Sequence, residues 1–159
     1  MAAFTGTPAS STQYARQIAG KTPWADLADG KAKFSYTHAL GAGTGEVNLI
    51  WLPPGQITVF HTASLIRASQ MVANADLHLG HRAYYDPVAG ATVAEDDNEW
   101  LDNSDVGGGA IDSALVLPAA PAAWTVYNTQ GGLIVYATID TANMEDGDTI
   151  NGYIRYSVG

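Results

Sequence analysis

With 159 residues, no cysteine and 16 acidic against 7 basic side chains (net −9), the chain excludes thiol catalysis, thiolate metal sites and disulfides. Its negative charge would repel phosphate backbones, so direct binding of nucleic acid is not expected, and no apolar run approaches the ~18 residues a membrane span needs. The length suits one domain, and only 14% of residues are charged, a low share that fits a surface partly covered by partners.

The first twenty residues, MAAFTGTPASSTQYARQIAG, lack a basic start followed by an apolar core, so no signal peptide is expected. Residues 1–30 are rich in Ala, Ser, Thr and Gly without a sustained period. Gln13 to Ala19 reads as a short helical turn that Gly20 and Pro23 end. Two readings compete here: a floppy terminus, and an extended arm that orders against a neighbouring subunit. In the second, Phe4, Tyr14 and Trp24 are the anchors, and the arm is too irregular to join a sheet.

From Lys31 the chain reads as short strands and turns. Lys33–Leu40 places Phe34, Tyr36 and His38 on one side, and GAGTG (41–45) follows. Glu46–Leu52 is apolar and stops at Pro53-Pro54-Gly55. Gln56–Gln70 holds two strand pieces joined by a bend.

The stretch Ala75–Gly90 organises what comes next. Leu77, Leu79, Ala83 and Tyr85 share one parity, Asp76, His78, Arg82 and Tyr84 the other, and Asp86-Pro87 with Gly90 makes the turn. An acidic loop over Ala94–Gly109 is expected, with Trp100 as an aromatic that docks on a partner. Asp112–Leu117 is a short strand before PAAP (118–121). Trp124–Thr129 and Gly132–Asp140 flank Gln130-Gly131 and read as a hairpin, the second with Leu133, Val135, Ala137 and Ile139 inward. The last strand, Thr149–Val158, turns Ile150, Ile154, Tyr156 and Val158 inward. About eight strands and no long helix predict an all-β, jelly-roll-like sandwich over residues 31–159, with residues 1–30 as an N-terminal arm outside it.

No constellation with catalytic spacing emerges. His78 and His81 stand three apart in a strand and so face opposite sides, which separates them as metal ligands. PPGQITVFH (53–61) is similar to part of a cupin metal motif but lacks its His-x-His pair and following Glu. The carboxylates of the acidic loop match no EF-hand and read as a solvated face. There is no G-x-S-x-G and no phosphate or dinucleotide loop. No enzyme activity, cofactor or metal is expected.

Three pieces in order carry a resemblance: SLIRAS (64–69), LGHRAYYDPVAGATVAEDDNEW (79–100), and GLIVYATID…DGDTINGYIRYSV (132–158). They resemble a family of tailed-bacteriophage virion proteins associated with the major capsid protein. That family's Leu-Gly-x-x-x-Tyr strand, Asp-x-x-Gly turn and Val-Ala-x-Asp stretch correspond to Leu79, Gly80, Tyr84, Asp86, Gly90, Val93, Ala94 and Asp96. Its Gly-x-x-Leu/Ile-Asn-Gly-Tyr finish corresponds to Gly147, Ile150, Asn151, Gly152 and Tyr153. The resemblance covers about 100 of the 159 residues, and its motifs are structural, not catalytic. It implies a head decoration or cement protein on the capsid exterior, a homotrimer bound to the major capsid protein; the first 30 residues have no counterpart in it, and Phe4, Tyr14, Trp24 and Trp100 are the expected contacts on the reading of the residues alone. The competing expectation is a jelly-roll carbohydrate-binding module whose exposed Trp51, Trp100 or Trp124 stacks on sugars.

Overall fold

The computed structural model describes residues 9–19, 30–39, 45–114 and 123–159. They form β1 (Ala9–Ser10), α1 (Thr12–Ile18), β2 (Lys31–Thr37), β3 (Glu46–Leu52), β4 (Gly55–Ala68), β5 (Asp76–His81), β6 (Tyr84–Asp86) and β7 (Ala91–Val93). The remaining strands are β8 (Asp96–Asp105), β9 (Ile111–Ala114), β10 (Trp124–Thr129), β11 (Leu133–Asp140) and β12 (Thr149–Val158). One sheet runs β1-β3-β11-β5-β8 and the other β10-β4-β12-β2, with β9 beside β4. If the long strands β2, β3, β4, β5, β8, β10, β11 and β12 are counted first to eighth, the two orders become 2-7-4-5 and 6-3-8-1. That is the winding of a jelly roll, two Greek keys folded into facing sheets.

Period-2 alternation builds the core between the sheets. Phe34 and Tyr36 on β2, Leu133, Val135, Ala137 and Ile139 on β11, and Ile150, Ile154 and Tyr156 on β12 are all buried, as their parity predicts. Val158, placed inward from sequence, is instead 53% exposed at the strand end.

Three expectations are corrected. The acidic stretch is not a loop: Asp96–Asp105 forms β8, antiparallel to β5 and at the edge of its sheet. Charged side chains suit an edge strand because they disfavour further pairing. Gln56–Gln70 forms the long strand β4 to Ala68, and the expected bend lies at residues 61–64, where the register against β12 shifts, the Ser64 hydroxyl donates to the Phe60 carbonyl, and the flanking strand changes from β10 to β9.

Trp124–Thr129 and Gly132–Asp140 are not a hairpin: β10 pairs β4 in one sheet and β11 pairs β3 and β5 in the other. The Gln130-Gly131 turn therefore crosses the sandwich, and Trp51 Nε1 donates to the Gly131 carbonyl there at 3.0 Å.

The expected arm is also, over residues 9–19, part of the sandwich. Ala9 and Ser10 pair in parallel with Val47 and Asn48. The Ser11 hydroxyl donates to the Leu49 carbonyl and also caps α1 by accepting from Tyr14 N. Gln17 then bonds the backbone of Trp51, while Gln13 Oε1 accepts from Ser35 N on β2 at 2.8 Å. One short helix thus covers the open edges of both sheets.

Candidate functional site

The opposite side of the sandwich, where β8 faces β10 beneath the β6–β7 hairpin, gathers the titratable side chains. β5 runs in regular register with β11 from Asp76 to His81, so His78 and His81 fall on opposite faces. His78 turns outward and lies 3.2 Å from Asp102 Oδ1 and 4.0 Å from Asp140 Oδ2. His81 turns inward, toward Trp100 and Tyr127.

The inner cluster is a chain of contacts. His81 Nε2 lies 2.7 Å from Glu99 Oε2, and His81 Nδ1 is 2.9 Å from the Arg82 carbonyl. A carbonyl and a carboxylate both accept, so this arrangement favours the ring with a proton on each nitrogen. Burial alone would lower the His81 pKa, but the Glu99 hydrogen bond and charge and the Arg82 carbonyl together hold it above the ordinary value. For Glu99, burial would raise the carboxyl pKa; the His81 contact and the Tyr127 hydroxyl, with His61 adding a little, hold it below the usual range instead.

Tyr127 donates to Glu99 Oε1 at 2.9 Å and accepts from Trp100 Nε1 at 2.6 Å. Its own ionisation is pushed far up by burial and the neighbouring carboxylate. His61 stacks at a tilt on Trp100 and contacts Thr125 Oγ1 at 2.9 Å; burial lowers its pKa, and the Glu99 charge opposes this. Trp100, His81 and Tyr84 pack edge-on around the Tyr127 ring. A recess of about 400 Å³ opens over this cluster, lined in part by His81, Tyr84, Glu95, Glu99, Thr125 and Tyr127.

The groups of the cluster contact one another: His81 Nε2 lies against Glu99 Oε2, and the Tyr127 hydroxyl donates to Glu99 Oε1. The visible work of the cluster is to tie β5, β8 and β10 together across the two sheets. Among the described residues no group of three or more His, Asp or Glu is placed to hold a metal ion. None of the helices formed by them is long and apolar enough to cross a membrane.

The four residues expected at partner contacts are scattered. Phe4 and Trp24 lie outside the described residues. Tyr14 is half-buried on α1; burial raises its hydroxyl pKa and the Arg82 charge opposes this. Trp100 is a correction: at 0% exposure, with its indole N–H spent on Tyr127, it is a core side chain and presents nothing to a partner in the isolated chain. Trp51 is half-buried, and Trp124, on edge strand β10, is 55% exposed.

The resemblance motifs acquire physical roles. A Cβ on Gly80 would stand 1.8 Å from the Asp96 carbonyl oxygen, so the Leu79-Gly80 pair is what lets β8 cross close to β5. Asp86 Oδ1 accepts from Val88 N and Ala89 N, and Gly90, at φ +67°, closes the turn with its N–H on the Asp86 carbonyl. The turn carries Val88 to the tip of a projecting hairpin, where it is 78% exposed.

No protein-family model matches the chain, and none of the curated proteins does. Among solved structures the chain is similar to one described as a cyanophage Pam1 capsid asymmetric unit. The likeness covers 81% of this chain and 82% of that one, at 11% identity and a TM-score of 0.46. At that level it carries no functional conclusion.

Proposed function

We propose that this chain is a structural protein of a tailed-phage virion that decorates the capsid exterior by binding the major capsid protein lattice, as a homotrimer and without catalysis. The observation that carries the reading is that the resemblance motif from Leu79 to Asp96 assembles as one unit. Gly80 admits β8 against β5, and Asp86 and Gly90 set the turn of a hairpin with an apolar tip. Such a motif maintains a shape, which is what a lattice-bound protein has to present in many identical copies. Modest contacts repeated over a lattice add through avidity, so each interface can be small.

A second reading, a carbohydrate-binding module, rests on Trp124. Its ring is exposed and its register partner on the same outer face is the half-buried Phe60. Light scattering of the full chain, alone and mixed with empty heads of the phage that encodes it, tests both. Decoration predicts a trimer mass and co-sedimentation with heads. A monomer that ignores heads and binds an insoluble polysaccharide overturns the proposal.

A further inference from the structure

The two sheets of the sandwich have opposite charge. Strands β3, β5, β8 and β11 contain Glu46, Asp76, Asp96, Asp97, Glu99, Asp102, Asp105 and Asp140 and no Lys or Arg. Strands β2, β4, β10 and β12 contain Lys31, Lys33, Arg67 and Arg155, and the sheet's one acid among the described strands is Asp112 on β9, the register partner of Arg67. Four of the chain's 7 basic residues are therefore collected on one sheet of a molecule whose net charge is −9.

Parity turns all four outward. Ala32, Phe34, Ile66, Ile154 and Tyr156, their strand neighbours, are buried in the core. Register then arranges the outer face in transverse rows: Trp124, Phe60, Arg155 and Lys31 lie side by side across four strands, and Leu65, Tyr153 and Lys33 across three. Lys31 Nζ sits 3.9 Å from the centre of the Tyr153 ring, which places a cation among the aromatics of the face. A shallow groove of about 340 Å³ runs beside these rows between Lys33, Arg67 and Tyr153. The apolar end is exposed as well, with Trp124 at 55% and Val126 at 40%.

From this geometry we infer that the outer face of the β10-β4-β12-β2 sheet is a docking surface for a carboxylate-rich protein surface. Complementary charge is the first reason. Guanidinium and ammonium groups recognise carboxylates, and clustering them on one sheet of an acidic chain orients that face toward an acidic partner. The second reason is the aromatic end: a Trp beside a Phe with bases at the periphery has the make-up of a protein interface with an apolar centre and polar rim. A second copy of this chain is disfavoured as occupant. Its acidic sheet lies on the far side of the sandwich, so copies would stack head to tail without closing. The inference rests on the charge partition and not on the virion reading, and either can fail alone.

The test uses the full chain and poly-L-glutamate as the probe, with binding measured by titration calorimetry at low ionic strength. Three proteins are compared: wild type, Lys31→Gln/Lys33→Gln/Arg155→Gln, and a charge-matched control, Ala89→Glu/Ala91→Glu/Thr92→Glu, on the exposed β6–β7 hairpin. Both variants lower the net charge by the same amount, and melting curves establish that each is folded. Wild type and control should bind and release the polymer at high salt, while the glutamine triple binds at least tenfold more weakly. The inference is overturned if wild type does not bind, if the control loses as much as the triple, or if dextran sulfate binds and poly-L-glutamate does not. Association of wild type into open-ended stacks that the glutamine triple abolishes would overturn it too, by making a second copy the occupant.

Discussion

Gln17 serves Trp51 as a substitute neighbouring strand: its Oε1 accepts from Trp51 N and its Nε2 donates to Trp51 O, each at 2.8 Å. β3 would otherwise expose an open edge beyond the two-residue pairing of β1. A side-chain amide carries the same donor and acceptor as a peptide group, so one glutamine completes the ladder where the backbone has turned into α1.

Replacing Gln17 with Ala removes both bonds from a partly exposed edge. The expected cost is about 1–2 kcal/mol, or a fall in melting temperature of about 3–6 °C for a domain of this size. Deleting residues 2–19 should cost more and promote aggregation, because the edges of β2 and β3 lose their cover together. Calorimetry and light scattering of the two variants check this.

Trp100→Ala should destabilise the fold by about 3–5 kcal/mol, the cost of emptying a large enclosed site. Trp124→Ala, at an exposed position, should stay within about 1 kcal/mol of wild type. Urea denaturation followed by circular dichroism separates the two. Equal, small effects would place Trp100 outside the core.

Glu99→Gln leaves the His81 cation buried without its counter-charge. Removing one partner of such a pair costs about 3 kcal/mol or more. The double variant Glu99→Gln/His81→Gln should recover part of the loss, since the residues form one unit. A double-mutant cycle by urea denaturation measures the coupling.

The same pair gives the stability a defined pH dependence. The folded His81 pKa is raised, so its contribution is complete below the unfolded value of 6.5 and is lost as pH rises through the folded value. The folded Glu99 pKa is lowered, so its contribution is present above the unfolded value of 4.5 and is lost as pH falls through the folded value. His61, with a lowered pKa, works in the other direction from His81: burying it neutral costs stability as pH falls below 6.5. The gap in urea midpoint between wild type and His81→Gln should therefore narrow as pH is raised above 6.5, and that between wild type and His61→Gln should shift against wild type as pH is lowered.

Gly80→Ala brings a methyl against the Asp96 carbonyl, and backbone has to move to admit it. A loss above about 4 kcal/mol, or failure to fold, is expected. At Gly131 the added methyl meets open space, and Gly131→Ala should fall within about 1 kcal/mol. Comparing the two melting temperatures tests whether the β5–β8 approach depends on the missing side chain.

The all-β class, the positions of β2, β3, β5, β10, β11 and β12, and the inward parity of β2, β11 and β12 were determined by the sequence alone, because alternation along one strand is a local property that a buried face enforces. The turn at Asp86–Gly90 was legible for the same reason: its Asx contacts lie within four residues. Tertiary structure alone decided the rest. β8 carries acids at both parities and, across two register shifts against β5, buries Trp100 and Leu101 side by side, so alternation fails where a bulge interrupts it. Which sheet β10 and β11 join depends on partners far away in the chain, not on the two residues between them. The meeting of His61, His81, Glu99 and Tyr127, the closing of two sheet edges by Gln13 and Gln17, and the sorting of bases and acids onto opposite sheets are all products of the jelly-roll winding. It brings distant strands into register, and no local pattern encodes which side chains will then face each other.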